Sequence, residues 1–207
     1  MIYSPQMLNT FQECPVKYYY RFVKNIIAPT LDSRFLVGKN IHALASYYLK
    51  AQDISMYTLS DIENKMWNIL KNCKYFSYKT ERVESSVTCN VGGDWIGGRL
   101  DALVSKNKEY YILDYKTGKI PNNAKYNFQT IVYLMCCDKL ISDYTSLNFV
   151  YLDVRTGNEE IITFTPSLKN EYELILKNTL EGIAKLSELT SHKGRQCSIC
   201  SYSKMCI

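Results

Sequence analysis

The chain has 207 residues, 46% of them hydrophobic and 22% charged, so it is long enough to form one globular domain with its own core. Its formal net charge of +5 suits a phosphate-bearing partner but falls far short of the charge of a DNA-packaging protein. No apolar run reaches the roughly 18 residues that cross a membrane, and the N-terminus lacks a signal-peptide pattern. We therefore expect a cytoplasmic protein with no membrane partner, in which clustered cysteines bind metal or do redox chemistry rather than form disulfides.

Helices are predicted for the N-terminal part of the chain, residues 1–80. Ser4 and Pro5 are typical of a helix start, with the serine as N-cap and the proline in the first turn. Apolar residues at helical spacing predict the other helices of this part. These cover residues 16–23, 35–49 and 59–73.

A sheet core is predicted for residues 81–166. Alternating patterns separated by short polar turns predict an antiparallel meander of three strands, at residues 81–91, 95–105 and 110–118. A helix over 123–140 and a pair of strands around Thr156-Gly157 follow. A long helix from Ser167 to about Leu189 and a cysteine-bearing tail make up the C-terminal part, residues 167–207. The order indicates a single α/β domain with a central mixed sheet flanked by helices.

Asp101, Asp114 and Lys116 form the pattern on which the functional argument depends. Asp114 and Lys116 point to the same face of a strand, and Asp101, on the preceding strand, can lie opposite them. Two carboxylates can bind Mg²⁺ or Mn²⁺, and a lysine can orient a water molecule or stabilise charge on a phosphate. An isolated Asp-x-Lys is usually a solvated salt bridge. However, the apolar run over residues 111–113 indicates that Asp114 ends a buried strand.

Two further residues have both a functional and a structural interpretation. His42 lies on a largely apolar predicted helix, where a histidine is more often a core residue with its hydrogen bonds satisfied. A place beside the two aspartates is its functional interpretation. Glu84 lies on the first predicted strand and can support the same site, but the pattern favours an exposed strand glutamate.

Four short motifs follow one another in order along the chain. They are G-x-x-x-H at 38–42, G-R-L-D at 98–101, D-Y-K-T-G at 114–118 and Q-x-x-x-Y at 129–133. The set resembles the RecB-type branch of the PD-(D/E)XK nucleases, which includes the AddB nuclease domain and the CRISPR-associated exonuclease Cas-four. The resemblance spans almost the whole chain and implies a core like that of the restriction endonucleases.

The resemblance also implies a role for each matching residue. The implied metal ligands are His42, Asp101, Asp114 and the main-chain carbonyl of Tyr115. Lys116 is the implied catalytic lysine. Gln129 and Tyr133 would place the lysine, the water or the DNA strand. The second acid is Asp114 where the Cas-four group commonly has glutamate, which brings the chain closer to the recombination nucleases.

Cysteines at the two ends of the chain predict a second metal site. Cys197, Cys200 and Cys206 lie close together in the tail, and Cys14, which precedes a proline between two predicted helices, is the natural fourth ligand. Spacing alone does not separate zinc from an iron–sulfur cluster. The resemblance favours a 4Fe-4S cluster that joins the N-terminal helices to the C-terminus. The remaining cysteines are expected to pack as small apolar residues, and they are Cys73, Cys89, Cys136 and Cys137. An unstructured tail with incidental cysteines is the alternative.

A basic and aromatic segment is the candidate for DNA contact. Lys17, Arg21 and Lys24 accompany Tyr18, Tyr19 and Tyr20, and such residues can neutralise phosphates and stack on exposed bases. A half-buried amphipathic helix is an equal interpretation.

Together these patterns predict a metal-dependent DNA nuclease, an exonuclease acting on single-stranded ends. The resemblance implies a role with the proteins of CRISPR adaptation or of DNA recombination and repair. The alternatives are a non-catalytic DNA-binding subunit with a structural cluster and, less favoured, a regulator that binds zinc.

Overall fold

The computed structural model of the chain describes residues 1–27, 34–186 and 194–206. The strands are β1 (Ile2–Tyr3), β2 (Lys79–Val91), β3 (Asp94–Lys106), β4 (Glu109–Lys116), β5 (Ser146–Asp153) and β6 (Glu159–Thr163). The α-helices are α1 (Pro5–Glu13), α2 (Pro15–Tyr18), α3 (Arg34–Leu49), α4 (Asp61–Lys71), α5 (Phe128–Leu140) and α6 (Pro166–Ala184). The shorter helical turns are a π-helical turn at Tyr19–Val23 and 3₁₀ turns at Lys74–Ser77, Ala124–Tyr126, Arg195–Ile199 and Ser203–Met205.

The strands form one mixed sheet in the order β1-β3-β4-β5-β6, with β2 on the other edge of β3. The predicted antiparallel meander is confirmed, since β2 pairs with β3 and β3 with β4 in that sense. Strand β5 lies parallel to β4, and α5 crosses between them. Strand β1 is a feature that the sequence analysis missed, because two residues are too short for an alternating pattern. It pairs with β3 at Trp95 and Ile96, beyond the segment of β3 that pairs with β4.

Helices cover both faces of the sheet and bury a separate core on each. One core lies under α5 and α6 and includes Leu100, Phe128, Phe149, Tyr172 and Leu176. The other lies under α3 and α4 and includes Ile41, Leu44, Trp67, Leu113 and Tyr115. The predicted α/β fold with a central mixed sheet flanked by helices is therefore confirmed. None of the described helices is long and apolar enough to span a membrane.

The helix starts show why the functional residues lie where they do. Ser4 caps α1 as predicted, because its hydroxyl accepts a hydrogen bond from the Met7 amide. Helix α5 begins later than predicted, since its first stretch is a 3₁₀ turn and Asn127 is the true N-cap. This cap places Gln129 in the first turn of α5, facing the end of β4.

Two other predicted helices differ from the structure. The helix predicted over 16–23 is a single α-turn, α2, that continues as a π-helical turn. The long C-terminal helix, α6, ends at Ala184, and its predicted end at Leu189 lies outside the described residues.

Candidate active site

Asp101, in the middle of β3, and Asp114, near the end of β4, lie side by side. The two residues lie one step beyond the paired residues Ala102 and Leu113, so they are neighbours across the sheet. Oδ2 of Asp101 accepts a hydrogen bond from the Tyr115 amide at 3.0 Å. The carboxylate of Asp101 is thereby fixed against the strand that carries Asp114.

Lys116 and Gln129 hold Asp114 from the side of α5. The Lys116 ammonium lies 2.8 Å from Oδ2 of Asp114 and donates a hydrogen bond of 2.8 Å to Oε1 of Gln129. Nε2 of Gln129 donates in turn to Oδ1 of Asp114. One amide side chain therefore fixes both the lysine and the carboxylate, and the three groups form a closed triangle.

The surroundings of Asp114 penalise its negative charge. The residue is only 3% exposed, and burial raises the pKa of its carboxyl to about 6, although Lys116 acts in the opposite direction. Oδ2 contacts Lys116 as an ion pair but accepts no hydrogen bond from any described residue. A buried carboxylate oxygen without a hydrogen bond is costly, and a divalent cation is one group that would satisfy it. This oxygen-rich set of ligands fits Mg²⁺ or Mn²⁺.

His42 reaches the same point from α3 on the other face of the sheet. Its Nδ1 lies 3.1 Å from Oδ1 of Asp101, and its Nε2 lies 2.9 Å from the carbonyl oxygen of Tyr115. Burial lowers the pKa of His42, but the hydrogen bond to Asp101 and the charges of Asp101 and Asp114 outweigh it, so the pKa is raised. His42 therefore contacts two of the predicted metal ligands, the carboxylate of Asp101 and the carbonyl oxygen of Tyr115.

Glu84 is a member of this site that the sequence analysis ranked too low. Within residues 1–27, 34–186 and 194–206, one group of metal-ligating side chains has its ligand atoms within 4.8 Å of one another, and it consists of His42, Glu84 and Asp101. The favoured interpretation of Glu84 as an exposed strand residue is therefore wrong. Counting back from the turn at Gly92-Gly93 pairs position 84 with position 101, and this count is the signal that could have found it.

The backbone at Glu84 is also unusual. Its φ of 49° lies in the left-handed region, which a strand residue with a side chain rarely adopts. Oε2 of Glu84 lies 2.9 Å from Nε of Arg99, the arginine of the G-R-L-D motif. Strained backbone is concentrated at functional sites, and here it turns a carboxylate toward Asp101.

Tyr133 lies one turn after Gln129 on α5 but contacts β3 rather than the lysine. Its hydroxyl donates a hydrogen bond of 2.7 Å to the carbonyl of Arg99. A Cβ atom at Gly98 would lie 3.0 Å from the Tyr133 ring, so the glycine permits this close packing. Tyr133 therefore joins α5 to the motif that carries Asp101.

Two grooves border the site and meet at Arg99. One groove, of about 1250 Å³, runs between α3, α4 and the sheet and includes His42, Glu84 and Asp101 in its walls. The other, of about 530 Å³, lies on the side of α1 and α5 and includes Gln129 and Tyr133. Arg99, which is paired with Glu84, lines both grooves. A linear substrate crossing from one groove to the other would pass Arg99.

The predicted DNA-contact residues are placed unevenly around the second groove. Lys17 and Arg21 line it, although Lys17 also forms an ion pair of 2.8 Å with Glu13. Lys24 is exposed away from it, with its ammonium 5.5 Å from the centre of the Tyr19 ring. Tyr18 is only 2% exposed, so the interpretation of this tyrosine as a base-stacking residue is wrong.

The four cysteines predicted to bind a cluster line one cavity of about 220 Å³. These are Cys14, Cys197, Cys200 and Cys206. No disulfide joins any of the eight cysteines, and Cys89 and Cys136 contact each other in the core at 3.4 Å. Two hydrogen bonds of 2.7 Å tie the tail to the N-terminal part, from Tyr20 to the Met205 carbonyl and from Tyr202 to the Ile26 carbonyl.

A sequence comparison shows the family to which the chain belongs. The chain belongs to the PD-(D/E)XK nuclease superfamily, whose family model matches residues 2–85 and 57–207. No curated protein matches the chain in sequence.

Solved structures share the fold at low sequence identity. One is a protein named "Putative exonuclease" from Eubacterium rectale, with a TM-score of 0.61, 14% identity, and coverage of 97% of this chain and 87% of that one. Another is the protein SSO0001, with a TM-score of 0.55, 17% identity, and coverage of 98% of this chain and 84% of that one.

Proposed function

We propose that the protein is a metal-dependent deoxyribonuclease that hydrolyses phosphodiester bonds at the ends of single-stranded DNA. The observation that carries this proposal is the triangle of Asp114, Lys116 and Gln129 beside Asp101, in a chain of a nuclease superfamily. The choice of DNA and of single strands comes from the resemblance to RecB-type nucleases. The same resemblance supports a role in CRISPR adaptation or in recombination, together with partner proteins of those processes.

The residues that would hold a cation surround the end of β4. His42, Glu84, Asp101 and Asp114 supply side-chain ligands, and the Tyr115 carbonyl supplies a main-chain oxygen. Bound Mg²⁺ or Mn²⁺ supplies Lewis acidity at the phosphoryl oxygen and lowers the pKa of water. His42 contacts the Asp101 carboxylate and the Tyr115 carbonyl, so a bound cation would take the place of these contacts.

Lys116 is the residue that acts on the phosphate. Gln129 and Asp114 fix its ammonium, and a fixed cation stabilises negative charge that develops on the phosphate without a reorganisation cost. Its side chain remains 24% exposed, so it can still reach a substrate oxygen or the attacking water. Gln129 is a positioning residue in this scheme, since it acts through Lys116 and Asp114.

We also propose that Cys14, Cys197, Cys200 and Cys206 bind a 4Fe-4S cluster. Their position around one cavity supports a common ligand. The choice of a 4Fe-4S cluster over zinc comes from the resemblance to RecB-type nucleases.

The nuclease proposal is tested by digesting end-labelled single- and double-stranded DNA with Mn²⁺. Lys116→Ala should lower the cleavage rate by about 10²- to 10³-fold while DNA binding is retained. Lys106→Ala, at the far end of β3, is the matched control and should cut normally. If the wild type binds DNA but cuts neither substrate, the protein is instead a non-catalytic DNA-binding subunit.

A further inference from the structure

Helix α3 presents one continuous face to the larger groove. The groove-lining residues of this helix include Lys39, His42, Ala43 and Tyr47, and Lys50 follows directly after its last residue. Lys39, Ala43, Tyr47 and Lys50 are spaced by three or four positions, which places side chains in one row along a helix. The row begins at Lys39, passes His42 beside the carboxylates and continues toward the end of α3.

Tyr47 offers an aromatic surface within this row. Its residue is 39% exposed, and its ring packs against the Tyr57 ring at 5.6 Å between centroids, so one side is supported while the rest faces the groove. The apolar side chains of Ile62 and Met66 line the same groove from α4. The position therefore has an aromatic ring in apolar surroundings, open to a ligand.

Two lysines flank Tyr47 in the same row. Lys39 and Lys50 are exposed, and neither forms an ion pair within the part of the chain that the structure describes. Arg155 also lines the groove, but its guanidinium is paired with Asp153 at 2.6 Å. The two lysines are thus the cations available to phosphates, one on each side of the tyrosine.

Distance along the helix relates this ring to the candidate site of cleavage. His42 and Tyr47 are five residues apart, which at about 1.5 Å per residue is about 7.5 Å along the helix axis. A nucleotide occupies about 3.4 Å of a stacked strand and more of an unstacked one, so this distance corresponds to one or two nucleotides.

We propose that Tyr47 stacks on an unpaired base one or two nucleotides from the cleaved bond, with Lys50 on a neighbouring phosphate and Lys39 on a phosphate across the cleaved bond. This inference rests on the proposed nuclease function and specifies its substrate. A base can stack on a side chain only if it is not stacked and paired within a duplex. The subsite therefore makes the protein select single-stranded DNA.

The test is binding of a fluorescent single-stranded oligonucleotide, followed by anisotropy, in full-length Asp114→Asn protein that does not cut. Adding Tyr47→Ala should weaken binding by about 5- to 100-fold, and Tyr47→Phe should stay within about twofold of the parent. Lys50→Ala should weaken binding and make it less dependent on salt. Trp95→Ala and Lys177→Ala are the controls, since they remove an exposed aromatic ring and an exposed lysine away from the groove.

An oligonucleotide with a single abasic position, moved along the strand, identifies the stacked base. At one position near the cleaved bond, the abasic site should weaken binding by the parent protein as much as Tyr47→Ala does, and should have no further effect in that variant. If every abasic position weakens binding equally in both proteins, the stacking subsite is wrong.

Cleavage by the wild-type protein separates the two proposals. If the wild type cuts single-stranded DNA and Tyr47→Ala cuts and binds equally well, only the subsite fails. If the wild type neither binds nor cuts, the proposed function fails with it.

Discussion

The carboxylate site and the cysteine cavity are two candidate metal centres, and the chain builds them differently. The carboxylate site takes residues from β2, β3, β4, α3 and α5, all of which pack on the two cores of the sheet. Its residues already contact one another: His42 with Asp101, and Gln129 with Lys116 and Asp114. The folded sheet therefore positions these residues whether or not a cation is bound.

The cysteine cavity lacks such a framework. Three of its cysteines lie in or beside 3₁₀ turns of the tail, and Cys14 lies between two short helices. Apart from the cavity itself, the described links between tail and N-terminal part include the stacked rings of Tyr20 and Tyr202 and the hydrogen bonds of these two residues. A bound group would therefore contribute its binding free energy to the folding of these segments. The folded sheet positions the carboxylate site, whereas a group bound by the four cysteines would stabilise the folded tail and N-terminal part.

The largest expected effect comes from Asp114→Asn. The substitution should lower the cleavage rate by about 10³-fold, because it removes a charge that would balance the cation. The midpoint of thermal unfolding without divalent metal should stay the same or rise, because a buried carboxylate with a raised pKa is replaced by a neutral amide. The rise in midpoint on adding Mn²⁺ should disappear. Asp143→Asn on the surface is the control, and a clearly lower midpoint in metal-free Asp114→Asn would show that Asp114 is structural.

Cys200→Ser tests whether the cysteine cavity binds a group that stabilises the tail. We expect this variant to lose the visible absorbance of an iron–sulfur cluster and about 3 kcal/mol of unfolding free energy, since a bound group no longer holds the tail. Cleavage should fall by less than about tenfold, because the carboxylates lie on a separate framework. Cys73→Ser, outside the cavity, is the matched control. Colourless wild-type protein that contains zinc would contradict the cluster.

The sequence alone is enough to predict that the central residues of the carboxylate site lie close together. A period of two and a short turn bring Asp101 beside Asp114 and Lys116 on adjacent strands, and both features can be read directly from the residues. The meander and the central mixed sheet are predictable for the same reason, because they depend on local patterns.

The parts that were missed depend on contacts distant in sequence or on unusual backbone. Glu84 lies on a predicted strand, but its left-handed φ has no sequence signal such as glycine. The burial of Tyr18 follows from packing against Phe11 and Phe22, which a helical pattern does not reveal.

Glu84→Gln measures how much Glu84 contributes to the binding of the cation. We expect the affinity for Mn²⁺ to fall by about 10- to 100-fold, because one charge of the ligand group is lost while the shape is kept. Isothermal titration of the purified protein with Mn²⁺ gives this value directly. Glu81→Gln is the matched control on the same strand, since Glu81 bonds to Ser105 and Lys79 away from the carboxylates. Equal affinities for Mn²⁺ in the two variants would show that Glu84 is not a metal ligand.

The smallest expected effect comes from Asp138, a carboxylate that stabilises the fold, in contrast to Asp114 in the candidate active site. Asp138, at the end of α5, also lies 2.8 Å from a lysine, Lys169, and accepts a hydrogen bond from Tyr144. Burial acts to raise its pKa, but these two partners outweigh burial, so the pKa is lowered, whereas that of Asp114 is raised. A carboxyl with a lowered pKa stabilises the folded state above the pKa of the unfolded chain, about 3.9, and this contribution is lost as the pH falls through the folded value.

Asp138→Asn should therefore cost about 1 kcal/mol of unfolding free energy at neutral pH. The difference from the wild type should shrink as the pH falls below about 4, where the wild-type carboxyl is protonated as well. Denaturant unfolding at a series of pH values gives both quantities, with cleavage unchanged near neutral pH. Asp143→Asn, whose partner Lys108 is also exposed, should change the stability by much less. A constant difference across this range would mean that Asp138 acts through packing rather than charge, and the contrast with Asp114 would then lose its electrostatic basis.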